Sequence, residues 1–457
     1  MLRNKQVDIT GGPIFKSILI YAIPIILGSF IQVAFNAVDL AVVGNMADEN
    51  AVASVGATSV IITLLVTTFI SLSAGVSTVL ARCIGQKNSE RVPKIVSTAM
   101  VFSFVLAFFV AVLCFLLSKP MLSFMGCPQK CFDGALLYLR IYVFGIPALM
   151  IYNFGVSIIR TTGDSQKPFL YIVLSGMLNV VLNLLLCLLM EQKVAAVAIA
   201  TVASQYLSAV LTIIYLSRLK GDCSFNFNKM SFSFKELWSI LKIGGPCAFN
   251  TALYSLSGIP ISSAINSYGV EAVAGNSTAI TLEGVLGSFG AGFSAAVVPF
   301  VGQNVGAGKR KRVEMSILYC AIISVTVSLI LTQGIFLFRN QILGIYLPNN
   351  AVAVSIAIKR LKCVLLFYPI AALFSIFTNA IQAFGHSSVT MICNLFTDLV
   401  FRLVWLWYIY PILDAKNRTI LNVYSCYTVS WFIAFAIHTT VFIIVYTRYL
   451  KGKVKEI

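Results

Sequence analysis

The sequence predicts an all-α polytopic membrane protein. It places twelve transmembrane helices in two six-helix lobes related by a pseudo-two-fold axis along the membrane normal. Three observations carry this. The 457-residue chain is 59% hydrophobic and 11% charged, with a mean hydropathy of +0.91. Apolar runs long enough to cross about 30 Å of hydrocarbon recur along its whole length. Its second half also repeats its first at an offset near 222.

The spans fall at 14–43, 52–82, 95–117, 134–159, 168–190, 194–217, 238–267, 273–301, 314–338, 354–384, 389–411 and 419–447. The first run is too long for a signal peptide, and no small-residue cleavage site follows it. No soluble domain is expected, since the longest polar stretch is the one near 219–236.

A net charge of +17 is compatible with nucleic-acid binding, but its placement argues against it. Most of the 33 Lys and Arg lie in alternate connections, among them Arg91 and Lys94, Arg218 and Lys220, and the run Lys309 to Arg312. The positive-inside rule puts those connections and both termini in the cytoplasm of a plasma (inner) membrane protein. The basic clusters are then topology signals and contacts to anionic lipid, with no nucleic-acid partner.

The repeat is carried by a series of matches in one order. Ala22-Ile23-Pro24 is answered by Gly244-Gly245-Pro246, Ala51-Val52-Ala53 by Ala272-Val273-Ala274, and Gly85-Gln86 by Gly302-Gln303. Pro147 is answered by Pro369 and Gly163 by Gly385. Six spans per copy is an even number, so both copies enter the membrane in the same sense, and a binding site is expected between such parallel repeats. The division is 1–218 for the first lobe, 219–236 for a cytoplasmic linker and 237–457 for the second lobe. Proline inside a span removes a hydrogen bond and kinks the helix. The matched pairs Pro24/Pro246 and Pro147/Pro369 read as hinges built into both lobes.

The first span carries Ser29, Gln32, Asn36 and Asp39, whose spacing puts all four on one helix face. Asp39 is the only acid in that run. A charge within the bilayer costs at least about 2.5–3.5 kcal/mol and marks an ion or proton path by default. An acid at the end of a helix also reaches interfacial water; the polar stripe leading inward favours a cavity. The fifth span adds Asn179 and Asn183 one turn apart, and the sixth adds Thr201, Ser204, Gln205 and Ser208. Two readings stand for these groups: interhelical hydrogen bonding, or oxygen ligands around a proton or a small hard cation.

In the second lobe Glu283 lies mid-span with no cation nearby in sequence, which leaves a cationic substrate, a second proton or a pairing with Arg402 open. Asp398 and Arg402 stand at i, i+4 and read as a structural ion pair. Most of the eleven cysteines sit singly in spans, where Cys behaves as a small apolar residue. The Cys127–Cys131 spacing is a weak sign of a disulfide or a metal. With His386 and His438 far apart in sequence, no metal site is expected.

Several stretches together resemble the multidrug and toxic compound extrusion (MATE) family. They are Pro24 followed by Asn36-Ala37-Val38-Asp39; Asn45 to Gly56; Gly85-Gln86; Tyr138-Leu139-Arg140-Ile141; Arg160 to Pro168; Asn179 to Asn183; Ala198 to Thr201; and Gly302 to Gly308. The resemblance implies a cation site in the first lobe, formed here by Asp39, Gln32, Asn36, Tyr138, Asn179, Asn183 and Thr201. The branch it most resembles usually has an acid where this chain has Asn183. A second branch uses an acid in helix 7, where this chain has Tyr254, and the tenth span has no acid. Tyr254, Asn250 and Glu283 are the candidate substrate contacts.

The resemblance implies a secondary antiporter that exports amphipathic, often cationic organic compounds against H⁺ or Na⁺ by alternating access, functional as a monomer in the bilayer. It implies no catalytic residue and no cofactor beyond the coupling ion. The alternative is a lipid-linked precursor flippase of the same superfamily. Such flippases line the cavity with several cations, whereas Arg402 reads as the only base deep in a span. No GxxxxGK[ST] motif is present, so ATP is not expected to drive transport directly.

Overall fold

The computed structural model describes residues 6–46, 49–348, 350–417 and 419–452. The side chains of Asn36 and Asp39 lie outside the described set, although their backbone is helical.

The first half of the chain forms α1 (Ile14–Met46), α2 (Glu49–Gly85), α3 (Arg91–Phe124), α4 (Gln129–Val143), α5 (Ile146–Thr161), α6 (Gln166–Leu189) and α7 (Lys193–Arg218). The second forms α8 (Phe234–Asn266), α9 (Val270–Gly306), α10 (Arg310–Leu337), α11 (Arg339–Tyr346), α12 (Ala351–Cys363), α13 (Tyr368–Ala383), α14 (Ser387–Asn394), α15 (Phe401–Val404), α16 (Tyr410–Lys416) and α17 (Leu421–Leu450).

Among the described residues, ten helices are long and apolar enough to span a membrane, and the pair α4 and α5, bent by 48°, makes an eleventh. The remaining expected span is α8, which is 33 residues long but more polar, with Asn250, Thr251, Ser255 and Ser257 in its second half. Large apolar side chains point outward, as lipid-facing helices require: Phe108 is 71% and Leu188 74% exposed.

Two expected spans are irregular. The tenth is divided by a 3₁₀ turn at Leu365–Phe367. The eleventh carries π-helical stretches at Leu395–Val400 and Trp405–Ile409, which flank Arg402 and contain Asp398. Such π turns often accompany functional positions. Pro147 and Pro369 lie in the first turns of α5 and α13. There a missing N–H costs little, so they start new helices rather than kink old ones. Pro24 is inside α1.

The chain resolves into two compact units. The first comprises Met1–Asp8 and Ile23–Ala248; the second comprises Ile9–Ala22 and Phe249–Ile457. These bounds differ from a division at 219–236, because two of the three cuts run through α1 and α8, each within two residues of Pro24 or Pro246.

The early part of α8 packs inside the first unit. A Cβ on Gly75 of α2 would collide with the Ile240 carbonyl and the Gly244 amide, so the two backbones touch only because both positions are glycine. Arg91 holds Glu236 with Nε at 2.9 and 3.1 Å from its two carboxylate oxygens. The early part of α1 packs inside the second unit, where Tyr21 meets Phe300 edge to face at 5.6 Å. The segment before it is held by Arg312, whose Nη2 donates to the carbonyls of Ile9 (2.9 Å) and Gly12 (2.8 Å).

Cys127 and Cys131, at the α3–α4 turn, are free thiols with sulfurs 3.9 Å apart.

Candidate functional site

Inside the first unit is a cavity of about 420 Å³. The i, i+3, i+4, i+7 stripe Thr201, Ser204, Gln205 and Ser208 on α7 forms one wall. Tyr138 and Tyr142 of α4 face it, with rings stacked at 6.3 Å. Gln32 of α1, Asn179 and Ser175 of α6, and Thr63 and Thr67 of α2 complete the polar lining. Among the described lining residues none is charged.

The amides of α6 connect to α7. Asn183 Nδ2 donates to Asn179 Oδ1 at 3.2 Å, and Asn179 Nδ2 to Thr201 Oγ1 at 3.5 Å. Thr201 in turn donates to the Val197 carbonyl at 2.9 Å. Both asparagines are buried, Asn183 completely. Of the residues expected at a cation site, the structure therefore brings Gln32, Tyr138, Asn179 and Thr201 to one cavity. Asn183 sits behind it as a support for Asn179. Asn36 and Asp39 fall outside the described side chains. Neutral amide and hydroxyl oxygens of this kind suit a proton-bearing group or a hard monovalent cation.

In the second unit the charges are closed on one another. Glu283 is paired with Arg360 of α12 through two bonds of 2.7 Å, a pairing absent from the sequence-based alternatives. Arg360 also donates to Asn276 Oδ1 at 2.7 Å. Asp398 accepts from Arg402 Nη2 at 3.0 Å, and Arg402 Nη1 donates to Ser257 at 3.1 Å. Both guanidinium carbons lie 5.0 Å from the ring of Tyr427, which stands next to both. Tyr424 backs Arg360 and Tyr254 backs Arg402, each at 5.4 Å. Such contacts are worth up to about 2 kcal/mol when desolvated.

Tyr254 is 56% exposed, and Asn250, one turn earlier, has a buried amide oxygen without a partner. Arg402 is consequently not the only buried base: Arg360 is 3% exposed. Both charges are taken up by carboxylates, so neither is a free cation for a phosphate.

Sequence reading missed Arg360 because it stands near the end of an apolar run, among charges that usually belong to an interface. The repeat holds the signal. Arg360 stands 222 residues after Tyr138, and Tyr254 stands 222 after Gln32. Helices α2 and α9 begin at 49 and 270, which aligns Glu283 with Ile62. Gln32, Ile62 and Tyr138 all line the first unit's cavity.

Comparison with known proteins supports the same repeat. The MatE family model matches residues 24–185 and again 246–407, so its two copies begin 222 residues apart. This chain belongs to the MatE family of membrane transporters. Among curated MatE relatives, the probable multidrug resistance protein YoeA of Bacillus subtilis (strain 168) is 27% identical over 347 residues, 74% of each chain. The probable multidrug resistance protein YpnP of the same organism is 25% identical over 398 residues, 87% of this chain and 89% of its own. A crystal structure of a MATE in the bent conformation superposes with a TM-score of 0.91 at 20% identity, covering 99% of this chain and all of the other. The fold is thus the twelve-helix, two-lobe MatE fold of a multi-pass membrane protein.

Proposed function

We propose that this protein is a secondary antiporter that exports amphipathic organic compounds, drugs among them, in exchange for H⁺ or Na⁺. The observation that carries the reading is the convergence of Gln32, Tyr138, Asn179 and Thr201 on one cavity, on helices that include the one bearing Asp39. Neutral oxygens supply coordination or hydrogen bonds, and the carboxylate of Asp39 supplies the charge that a proton or Na⁺ neutralises. MatE relatives described as multidrug resistance proteins support the substrate class. The flippase alternative gains nothing from them, and the buried arginines are already neutralised.

Alternating access needs two arrangements of the lobes and a place to bend. Pro24 and Pro246 fit that role, since each lies within two residues of a cut between compact units. Pro147 and Pro369 start helices after breaks in their spans and form the second hinge pair. In this reading cation entry at Asp39 removes a charge, rearranges the bonds to Asn179 and Thr201, and biases the lobes toward substrate release. The chain acts as a monomer in the plasma membrane with both termini in the cytoplasm.

The test uses proteoliposomes and efflux of a fluorescent organic cation such as ethidium, with pH and Na⁺ gradients imposed one at a time. Asp39→Asn resembles the neutralised state in shape. It is expected to bind ethidium but to lose its response to the gradient. Wild-type pumping by Asp39→Asn would remove Asp39 from the coupling role.

A further inference from the structure

In the stretch Tyr138-Leu139-Arg140-Ile141, Tyr138 lines the cavity, Leu139 is buried and Ile141 packs beside the cluster around Tyr142. Arg140 does none of this. Residues two apart on a helix face nearly opposite ways, so Arg140 stands behind Tyr138 and Tyr142, and it is exposed.

Its guanidinium carbon lies 5.3 Å from the ring centroid of Phe115 on α3. That ring in turn meets Phe144 edge to face at 6.2 Å. Phe144 belongs to the break between α4 and α5, and the Tyr206 hydroxyl donates to its carbonyl at 3.0 Å. Lys119 stands one turn beyond Phe115 on the same face of α3 and is also exposed. Two cations thus flank one aromatic ring.

This surface faces hydrocarbon. Among the described residues α3 lends none to the cavity, while its Phe109 and Leu116 are 63% and 69% exposed. Phe115 lies about two and a half turns before the end of α3, and Arg140 about three turns after the start of α4. Helical side chains lean toward the N-terminus, which for α4 is the outer end in the orientation proposed above. The guanidinium therefore reaches up to the boundary between acyl chains and headgroups.

The protein does not neutralise either cation. Among the described residues neither enters an ion pair, and Asp133, about two turns nearer water on α4, pairs with neither. Topology does not account for them either, because in that orientation positive charge marks the opposite, cytoplasmic side. A cation at this depth needs an anion. A guanidinium fork beside an ammonium presents several N–H donors, which suits a phosphate. The apolar side chains around them favour an anion that carries acyl chains over a soluble one.

We propose that Arg140, Phe115 and Lys119 form a binding site for the phosphate of an anionic phospholipid in the outer leaflet. The Phe115 ring holds the Arg140 fork in place, and the acyl chains lie along the exposed face of α3. The choice of leaflet rests on the orientation proposed above. Because Arg140 stands behind two tyrosines of the cavity wall, a lipid held there braces the bend that positions them.

The test places a reporter in the site. Phe115→Trp keeps an aromatic ring under Arg140, and its fluorescence above that of wild type reads lipid at this position alone. The protein is reconstituted in phosphatidylcholine vesicles, and brominated phosphatidylglycerol or brominated phosphatidylcholine is added as the quencher. Thermal melting controls for folding. The reporter is expected to prefer phosphatidylglycerol about tenfold, and Arg140→Gln or Lys119→Gln in that background should each lower the preference about fivefold. Arg140→Lys keeps the charge without the fork and should lower it about threefold. Lys130→Gln removes a cation from the same side, away from the ring, and should change it by less than about 1.5-fold.

Equal quenching by the two lipids in the Phe115→Trp protein overturns the site. So does a preference that survives the double change Arg140→Gln/Lys119→Gln. A loss in Lys130→Gln as large as in Arg140→Gln overturns it too, since bulk charge then explains the preference. Displacement of the lipid by inorganic phosphate would make the ligand a soluble anion and also overturns it. Failure of the orientation looks different: an impermeant maleimide on intact cells does not label Lys119→Cys, while quenching by lipid in both leaflets is unchanged.

Discussion

The first unit's cavity and the second unit's charge cluster occupy matching places in the repeat, and they are built in opposite ways. Where the first copy has Gln32, Ile62 and Tyr138 around open space, the second has Tyr254, Glu283 and Arg360 in contact with one another or with Arg402 and its neighbours. The first keeps neutral oxygens available to a guest. The second spends two acids and two arginines on each other and packs the guanidiniums between tyrosine rings. One copy thus keeps an open polar cavity, and the other closes its charges on one another. Charge in a span is therefore a poor guide to where transport chemistry happens unless its partner is known.

The strongest way to break this comparison is Arg360→Met. It strands Glu283 in the membrane and should destabilise the protein by about 3–5 kcal/mol, read as a lower melting temperature and lower yield of folded protein in detergent. The double variant Glu283→Gln/Arg360→Met should recover most of that loss. If the double variant is as unstable as the single one, the tyrosine contacts of Arg360 outweigh the ion pair.

Asp398→Asn is the next largest. Asp398 makes one bond to Arg402, and Ser257, Tyr254 and Tyr427 continue to hold the guanidinium. A loss of about 2–3 kcal/mol is expected by the same melting assay. A loss larger than that of Arg360→Met would reverse the ranking of the two pairs.

In the cavity the effect should fall on function. Asn179→Ala is expected to raise the half-saturating cation concentration for driven efflux about tenfold, equivalent to about 1.4 kcal/mol, with little change in melting. A collapse in melting with unchanged ion dependence would make Asn179 part of the packing, like its counterparts in the second unit.

The smallest effect belongs to Tyr254. Tyr254→Phe keeps the ring over Arg402 and should leave stability unchanged, while Tyr254→Leu should cost about 0.5–1 kcal/mol. Equal losses from both would shift the weight from the ring to the hydroxyl.

Much of the architecture was legible because membrane helices write their length in apolar runs. The repeat was legible from Pro24/Pro246 and Pro147/Pro369, and it returned as the two 222-spaced matches of one family model. The cavity wall was legible because Thr201, Ser204, Gln205 and Ser208 share one face by helical period alone. The pairing of Glu283 with Arg360 was not, since it joins residues 77 apart across two helices and no local period connects them. The breaks at Gly145 and Leu365–Phe367 were also hidden, because an apolar run reads the same through a bend. The prolines that follow those breaks gave the place but suggested a kink inside one helix rather than the start of another.

The exchange of half-helices has a consequence for synthesis. The segment Ile9–Ala22 is made well before the surfaces it packs on, Phe300 of α9 and Arg312 of α10 among them. The Phe234–Ala248 half of α8, conversely, completes a lobe whose other helices are already in the membrane. The first lobe can therefore close as soon as α8 begins, while the start of α1 waits for α9 and α10. A truncated product that ends after α8 would hold a finished first unit and two arms, Ile9–Ala22 and the second half of α8, without the unit they belong to.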